Sequence, residues 1–306
     1  MHIVLKGLQR IVSPFFSWYP NGVERNDAMK KMILLDIDGT LRDERLGIPD
    51  SARMAVEKLM EAGHVPCLCT GRSKSMIQED VWSLGIPHVI AGGGCYIERN
   101  GRILKDSVLD TAKVSQLYQL LKDSDAAVSM ESKDMLFMNH KAVDILNHMN
   151  DQKSDHCTKK QLQAYRQSEK IRYQDNFSAY RGEGIHKICL WAEESMYNAV
   201  CQILQGDMKL AQSGLSAYGP YYEIIRQGCG KADAIAYLCD KLSIPNAHTI
   251  AFGDGMNDAE MLAYCGVGIA MKNSDERLFA YADAICEDLL DDGIYKELIR
   301  RKLIES

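Results

Sequence analysis

A chain of 306 residues can bury one large core or two medium ones, and its 46% apolar and 25% charged residues exclude a disordered polymer. The formal net charge of -6 carries no electrostatic footprint for nucleic acid or an anionic membrane, while leaving room for a locally positive site that takes a small anion. The ten cysteines are scattered, and Cys67, Cys69, Cys189 and Cys239 sit inside apolar runs; this reads as small buried hydrophobes in a reducing, cytoplasmic setting, not as disulfides or a zinc site.

Residues 1–30 read as an extension. Val4, Leu5, Leu8, Ile11, Val12 and Phe15 fall at helical spacing, interrupted by Lys6 and Arg10, so the segment is neither a membrane span nor a signal core. It is either a short surface helix or lies before a true start at Met29 or Met32. Ile33 to Leu35 then form an apolar strand that ends in two carboxylates, Asp36 and Asp38, separated by one residue. Because the chain turns at Asp38, both can reach the crevice beyond the strand's carboxyl end, where open α/β sheets bind ligands.

Pro49-Asp50-Ser51 opens a helix that presents Met54, Val56, Leu59 and Met60 inward and closes at Gly63. Val65 to Cys69 is a strand ending at Thr70-Gly71-Arg72, and Ser73 caps a helix towards Leu84. His88 to Ala91 is a third strand, followed by Gly92-Gly93-Gly94. Strand–helix alternation with short connections predicts a Rossmann-like, doubly wound parallel sheet. Asn100-Gly101 between two β-like runs then signals a hairpin, and the change to antiparallel texture places a domain boundary near residue 94.

Residues 95–218 read as an inserted α+β domain, with helices near Thr111 to Lys122 and Ser195 to Gln205 and strands near Ala126 to Met130, His186 to Trp191 and Lys209 to Gln212. The polar stretch from Asn150 to Arg181 has no clear pattern, and Arg172, Arg181, His186 and Lys187 read as a solvated face. The parallel pattern is expected to resume over 219–306: strand Tyr221 to Ile225, loop Gly228-Cys229-Gly230, helix Lys231 to Leu242, strand Thr249 to Phe252, helix Asn257 to Tyr264, strand Val267 to Ala270 and helix Ile294 to Leu303. The strand at Thr249 ends in Gly253-Asp254-Gly255-Met256-Asn257-Asp258, a second acidic loop. Three or four carboxylates in one crevice call for a cation, and all-oxygen ligands suit Mg²⁺. Together the two loops predict a magnesium-dependent phosphoryl-transfer site.

In order along the chain, Asp36-Ile37-Asp38-Gly39-Thr40-Leu41, Thr70-Gly71-Arg72, Lys231 and Gly253-Asp254-Gly255-Met256-Asn257-Asp258 resemble the four motifs of the haloacid-dehalogenase superfamily. The nearest resemblance is to its Cof-type phosphatases, whose large α/β cap is inserted between the second and third motifs. It spans about residues 32 to 300, with Ala270-Met271-Lys272-Asn273-Ser274 similar to the segment after the last motif. Four motifs in order with a cap-sized gap are specific where each alone is ordinary turn chemistry. One departure is Gly93-Gly94-Cys95, where many relatives show Asn-Gly-Ala, so an amide near the substrate is missing.

The resemblance implies roles. Asp36 is the nucleophile and forms an aspartyl-phosphate. Asp38 is general acid and base. Mg²⁺ is held by Asp36, the Asp38 carbonyl and Asp254, with Asp258 as ligand or support. Thr70, Gly71, Arg72 and Lys231 bind the phosphoryl group, and Asn257 hydrogen-bonds Asp254, Lys231 or that group. A carboxylate at Asp38 argues against dehalogenases and transport ATPases. The expected activity is hydrolysis of small phosphorylated metabolites; a phosphomutase and a non-catalytic sensor of phosphorylated ligands are the alternatives. The expected lid hinges are Gly92-Gly93-Gly94 and Ser216 to Pro220.

Overall fold

The computed structural model describes residues 30–154, 174–204, 206–216 and 218–306. The expected amino-terminal extension and most of the polar stretch 150–181 lie outside them. Among the described residues the strands form two sheets. The first contains β1 (Met32–Leu35), β2 (Val65–Cys69), β3 (His88–Ala91), β4 (Tyr96–Arg99), β5 (Arg102–Asp106), β11 (Thr249–Gly253), β12 (Val267–Met271) and β13 (Ala284–Cys286), in the order β13-β12-β11-β1-β2-β3-β4-β5. The second contains β6 (Ala127–Ser132), β7 (Leu136–Met138), β8 (Ile185–Trp191), β9 (Met208–Ser216) and β10 (Gly219–Arg226), in the order β7-β6-β8-β10-β9.

Every residue of β1, β2, β3 and β11 is buried, as strands covered on both faces require. β13 to β3 run parallel. One face of this sheet packs Ile33 and Leu35 with Ala52, Ala55, Val56 and Leu59 of α1 (Asp50–Glu61) and Leu298 of α8 (Gly293–Arg300). The other packs Met32 and Leu34 with Ala234, Ile235 and Leu238 of α6 (Lys231–Leu242) and Met261 and Leu262 of α7 (Ala259–Tyr264). This is the doubly wound α/β core the alternation predicts. In the second sheet one face is covered by α3 (Thr111–Leu121) and α5 (Glu194–Ile203), while α4 (His140–Ser154) packs Ala142 and Ile145 on the other. No described helix is long and apolar enough to cross a membrane.

The structure corrects five expectations. The hairpin β4–β5 does not begin the second sheet; it pairs antiparallel with β3 and extends the first, so the chain leaves that sheet at 107–110 and not at 94. Likewise β10 pairs antiparallel with β8 and β9, so the return lies at 227–230, and Ser216 and Pro220, expected at a hinge, stand in paired strands of the second sheet. Local alternation reports that a segment is a strand but not which sheet it joins. In α1, Met54 and Met60 are exposed while Ala52 and Ala55 are buried, because positions 52, 55, 56 and 59 share one 3.6-residue face. The helix expected after Ser73 breaks into a turn at Lys74–Met76 and the single-turn α2 (Glu79–Trp82), since the Met76 carbonyl accepts from Arg72 Nη1 at 3.2 Å and Ile77 is extended. Finally, His186 and Lys187 are not a solvated face. His186 is buried with Nε2 2.7 Å from Asp106, and Lys187 lies 3.3 Å from Glu223 and 3.7 Å from Glu131.

Candidate active site

The carboxyl ends of β1 and β11 lie side by side, because these strands pair in register and the Asp36 N–H donates to the Phe252 carbonyl at 3.1 Å. The two acidic loops therefore emerge at one edge. Carboxylate oxygens of Asp36, Asp254 and Asp258 all lie within 4.8 Å of one another. Lys231, the first residue of α6, enters this group from the opposite side with its Nζ 2.6 Å from Asp36 Oδ1 and 2.5 Å from Asp258 Oδ1. Lys231, Asp36 and Asp258 are all buried. The other oxygen of Asp258 accepts the backbone N–H groups of Asp254 and Gly255 at 3.0 and 3.1 Å, which closes the loop.

Burial raises the Asp36 carboxyl well above the usual range; Lys231 opposes this while Asp258 and Asp38 add to it. Burial alone would lower Lys231, but Asp36 and Asp258 outweigh it and keep the ammonium charged. Asp254 is pushed up to about 6, by burial and then by Asp258 and Asp38, against the Thr40 hydroxyl that donates to its Oδ1 at 3.0 Å. One ammonium faces three carboxylates, so the cluster is short of positive charge. A divalent cation with oxygen ligands fits that deficit.

Asp38 stands apart from the three. Its carboxylate takes a bidentate pair from Arg72, with Nε 2.6 Å from Oδ2 and Nη2 2.8 Å from Oδ1. Arg72, read from sequence as a phosphoryl-binding residue, thus spends its guanidinium on Asp38 and on the Met76 carbonyl. Thr70 is buried beside it, its Oγ1 accepting the Arg72 N–H at 3.1 Å. Asn257 is exposed, and a Cβ on Gly71 would stand 3.6 Å from its Nδ2. The second-motif loop and the last acidic loop therefore approach each other at Gly71 and Asn257.

Sequence reasoning did not single out the residues that hold the loops together. Gly39 has φ +78°, and a Cβ there would stand 2.1 Å from Asp254 Oδ2, so only glycine lets the two acidic loops close. Asn273 Nδ2 donates to the Gly39 carbonyl at 3.0 Å, and the Asp275 N–H donates to the Asp254 carbonyl at 3.2 Å, strapping both loops from beyond β12. The signal for Asn273 lay in the segment 270–274, which carries no charge pattern of its own.

A sequence model of the haloacid dehalogenase-like hydrolases matches residues 33–298. The chain is 26% identical over 267 residues to YkrA of Bacillus subtilis, covering 86% of this chain and 95% of that one. It is 25% identical over 274 residues to the 5-amino-6-(5-phospho-D-ribitylamino)uracil phosphatase YwtE of the same organism, again covering 86% and 95%. A solved structure from Geobacillus kaustophilus superposes with a TM-score of 0.75 at 23% identity, over 90% of this chain and all of that one.

Proposed function

Because this chain belongs to the haloacid dehalogenase-like hydrolases and is a phosphatase of that family, we propose that it hydrolyses small phosphorylated metabolites with Mg²⁺ through an aspartyl-phosphate on Asp36. The observation that carries this reading is the buried Asp36–Lys231–Asp258 array beside Asp254, at the carboxyl ends of two neighbouring parallel strands. Asp36 attacks phosphorus, the leaving oxygen takes a proton from Asp38, and Asp38 then draws a proton from the water that opens the acyl-phosphate. Arg72 fixes where Asp38 sits between turns of the cycle. Lys231 offsets charge spreading over the phosphoryl oxygens, with Thr70 and the Gly71 N–H as further donors. Asp36 and Asp254, with Asp258 in support, would hold Mg²⁺. When bound, the cation cancels repulsion between the Asp36 carboxylate and the anionic ester.

The second sheet, with its helices, is the proposed cap, running from about residue 107 to about 227 by its strand pairing. A small phosphorylated metabolite, of the kind named for YwtE, is the substrate class this reading carries over.

The test is hydrolysis of an aryl phosphate with Mg²⁺, with EDTA and with Asp36→Asn protein. Phosphate release that needs Mg²⁺ and vanishes in the variant is expected. Equal turnover by Asp36→Asn would falsify the aspartyl-phosphate route. Metal binding without turnover of this ester or a metabolite panel would instead favour a sensor.

A further inference from the structure

The three residues of the turn Lys74–Met76, just past the second-motif loop, each hold a different part of the molecule. Lys74 reaches the β4–β5 hairpin, where its Nζ donates to Glu98 Oε2 at 2.5 Å and to the Tyr96 hydroxyl at 3.1 Å. The Ser75 hydroxyl donates to the Ser132 carbonyl of the second sheet at 2.8 Å. The Met76 carbonyl accepts from Arg72 Nη1 at 3.2 Å, while Nε and Nη2 of the same guanidinium hold the two oxygens of Asp38. A side chain of β4 is thereby joined, through one short turn, to Asp38, the proposed acid and base.

The anchor on β4 is a closed unit. Tyr96 and Glu98 are both buried and, two residues apart on a strand, project from the same face. The Tyr96 hydroxyl accepts from Lys74 and donates to Glu98 Oε2 at 2.5 Å, so the three groups satisfy one another. The Lys74 ammonium also lies 5.2 Å from the centre of the Tyr96 ring and 5.9 Å from that of Trp82. Trp82 returns to the end of the turn, its Nε1 donating to the Ile77 carbonyl at 3.1 Å. Burial opposes both charges. The hydrogen bonds from Lys74 and Tyr96 nonetheless hold the Glu98 carboxyl below its usual range, and those to Glu98 and Tyr96 hold Lys74 above its own. Within the turn, the Met76 and Ile77 N–H groups donate back to the Ser73 and Lys74 carbonyls at 2.9 and 3.2 Å. A single turn of this kind has little stability of its own, so its place depends on what its side chains reach.

We propose that Lys74 and Glu98 are positioning residues for the acid–base step: they anchor the turn whose Met76 carbonyl aims the Arg72 fork, and the fork sets Asp38 against the leaving oxygen. With the anchor gone the turn shifts, the fork follows, and Asp38 meets that oxygen off line. Proton donation weakens, whereas the Asp36–Lys231–Asp258 array stands on other elements and keeps its place. The loss therefore scales with how much the leaving group needs a proton. This effect rests on the proposed phosphatase function; the anchoring of the turn does not.

Two aryl esters of similar shape separate the cases, since 4-nitrophenoxide departs as a stable anion and phenoxide is better served by a proton. The value of kcat/KM covers the step in which that oxygen departs. It is measured for both esters with Mg²⁺ in wild-type, Lys74→Met and Lys74→Arg proteins, and amide exchange over residues 73–78 is followed by mass spectrometry on the same samples. Lys74→Met is expected to quicken exchange there, to lower kcat/KM for phenyl phosphate about tenfold, and to leave 4-nitrophenyl phosphate within about twofold. Lys74→Arg, which keeps the cation, should restore both readouts. Because Lys74→Met leaves the Glu98 carboxylate enclosed without its partner, the double variant Lys74→Met with Glu98→Gln repeats the test with neither charge present. Equal losses on the two esters in both variants reduce the network to a structural brace and overturn the proposal, as does unchanged exchange. Absent turnover of both esters by wild-type protein overturns the phosphatase reading, and the exchange rates then decide the anchor by themselves.

Discussion

At the residue scale the site is governed by a charge imbalance. Lys231 is the single ammonium between Asp36 and Asp258, so Lys231→Ala leaves two buried carboxylates facing each other. Loss of about 3–5 kcal/mol of stability in urea unfolding is expected. A roughly 10²–10³-fold fall in kcat should accompany it. Unchanged kcat would remove Lys231 from the chemistry. Asp254 gives a pH signature. Its carboxyl is held at about 6 when folded against an ordinary 3.8, so between about pH 4 and 6 the folded protein carries more protons than the unfolded chain. This group's contribution is therefore complete below about pH 4 and is lost as pH rises through about 6. A cation on the ionised carboxylates reverses that loss. Mg²⁺ at a hundredfold excess over its dissociation constant should stabilise the protein at pH 7 by about 2.7 kcal/mol and far less near pH 4. Thermal unfolding with and without Mg²⁺ at the two pH values reads this directly, and equal shifts at both would sink it.

At the element scale, function depends on how tightly the two acidic loops approach. β1 and β11 bring them to one edge, but closure needs Gly39, whose φ of +78° and lack of a side chain leave room for Asp254. In Gly39→Ala the backbone strain is about 1–2 kcal/mol. The added methyl also pushes Asp254 away from Thr40, and an about 100-fold fall in turnover is expected. Titration of activity with Mg²⁺ should show a weakened metal requirement curve, which a purely structural defect would leave in place. The apolar strands and the turns after them were legible in sequence at this scale, because burial on both faces writes itself as an unbroken apolar run. Helix faces were less so. Met54 and Met60 are as apolar as their buried neighbours, and only the phase of α1 against the sheet exposes them.

For the whole molecule, the site lies where the first sheet meets the second. The Ser75 hydroxyl donates to the Ser132 carbonyl at 2.8 Å, and Asp106 at the end of β5 pairs with both His186 and Lys133. These contacts join the second sheet to the first, and the lid motion expected from the sequence would have to part them. A disulfide engineered as Ser75→Cys with Ser132→Cys should lower kcat about tenfold and recover with dithiothreitol. Full activity in the oxidised form would mean that the sheets need not separate.

The reaction class was determined by sequence alone, because each acidic motif ends its own strand and its meaning needs only a few adjacent residues. Asp36 and Asp254 could be named from the strands they end, Lys231 only through the resemblance to a known family, and the doubly wound core from alternation. Contacts between distant residues were decided only in three dimensions. Arg72 meets Asp38 across 34 positions, and Gly39 makes room for Asp254 beyond 200. β10 joins the second sheet, where the sequence pattern placed it with the first. No local pattern encodes such pairings, since each depends on which surfaces the folded chain brings together.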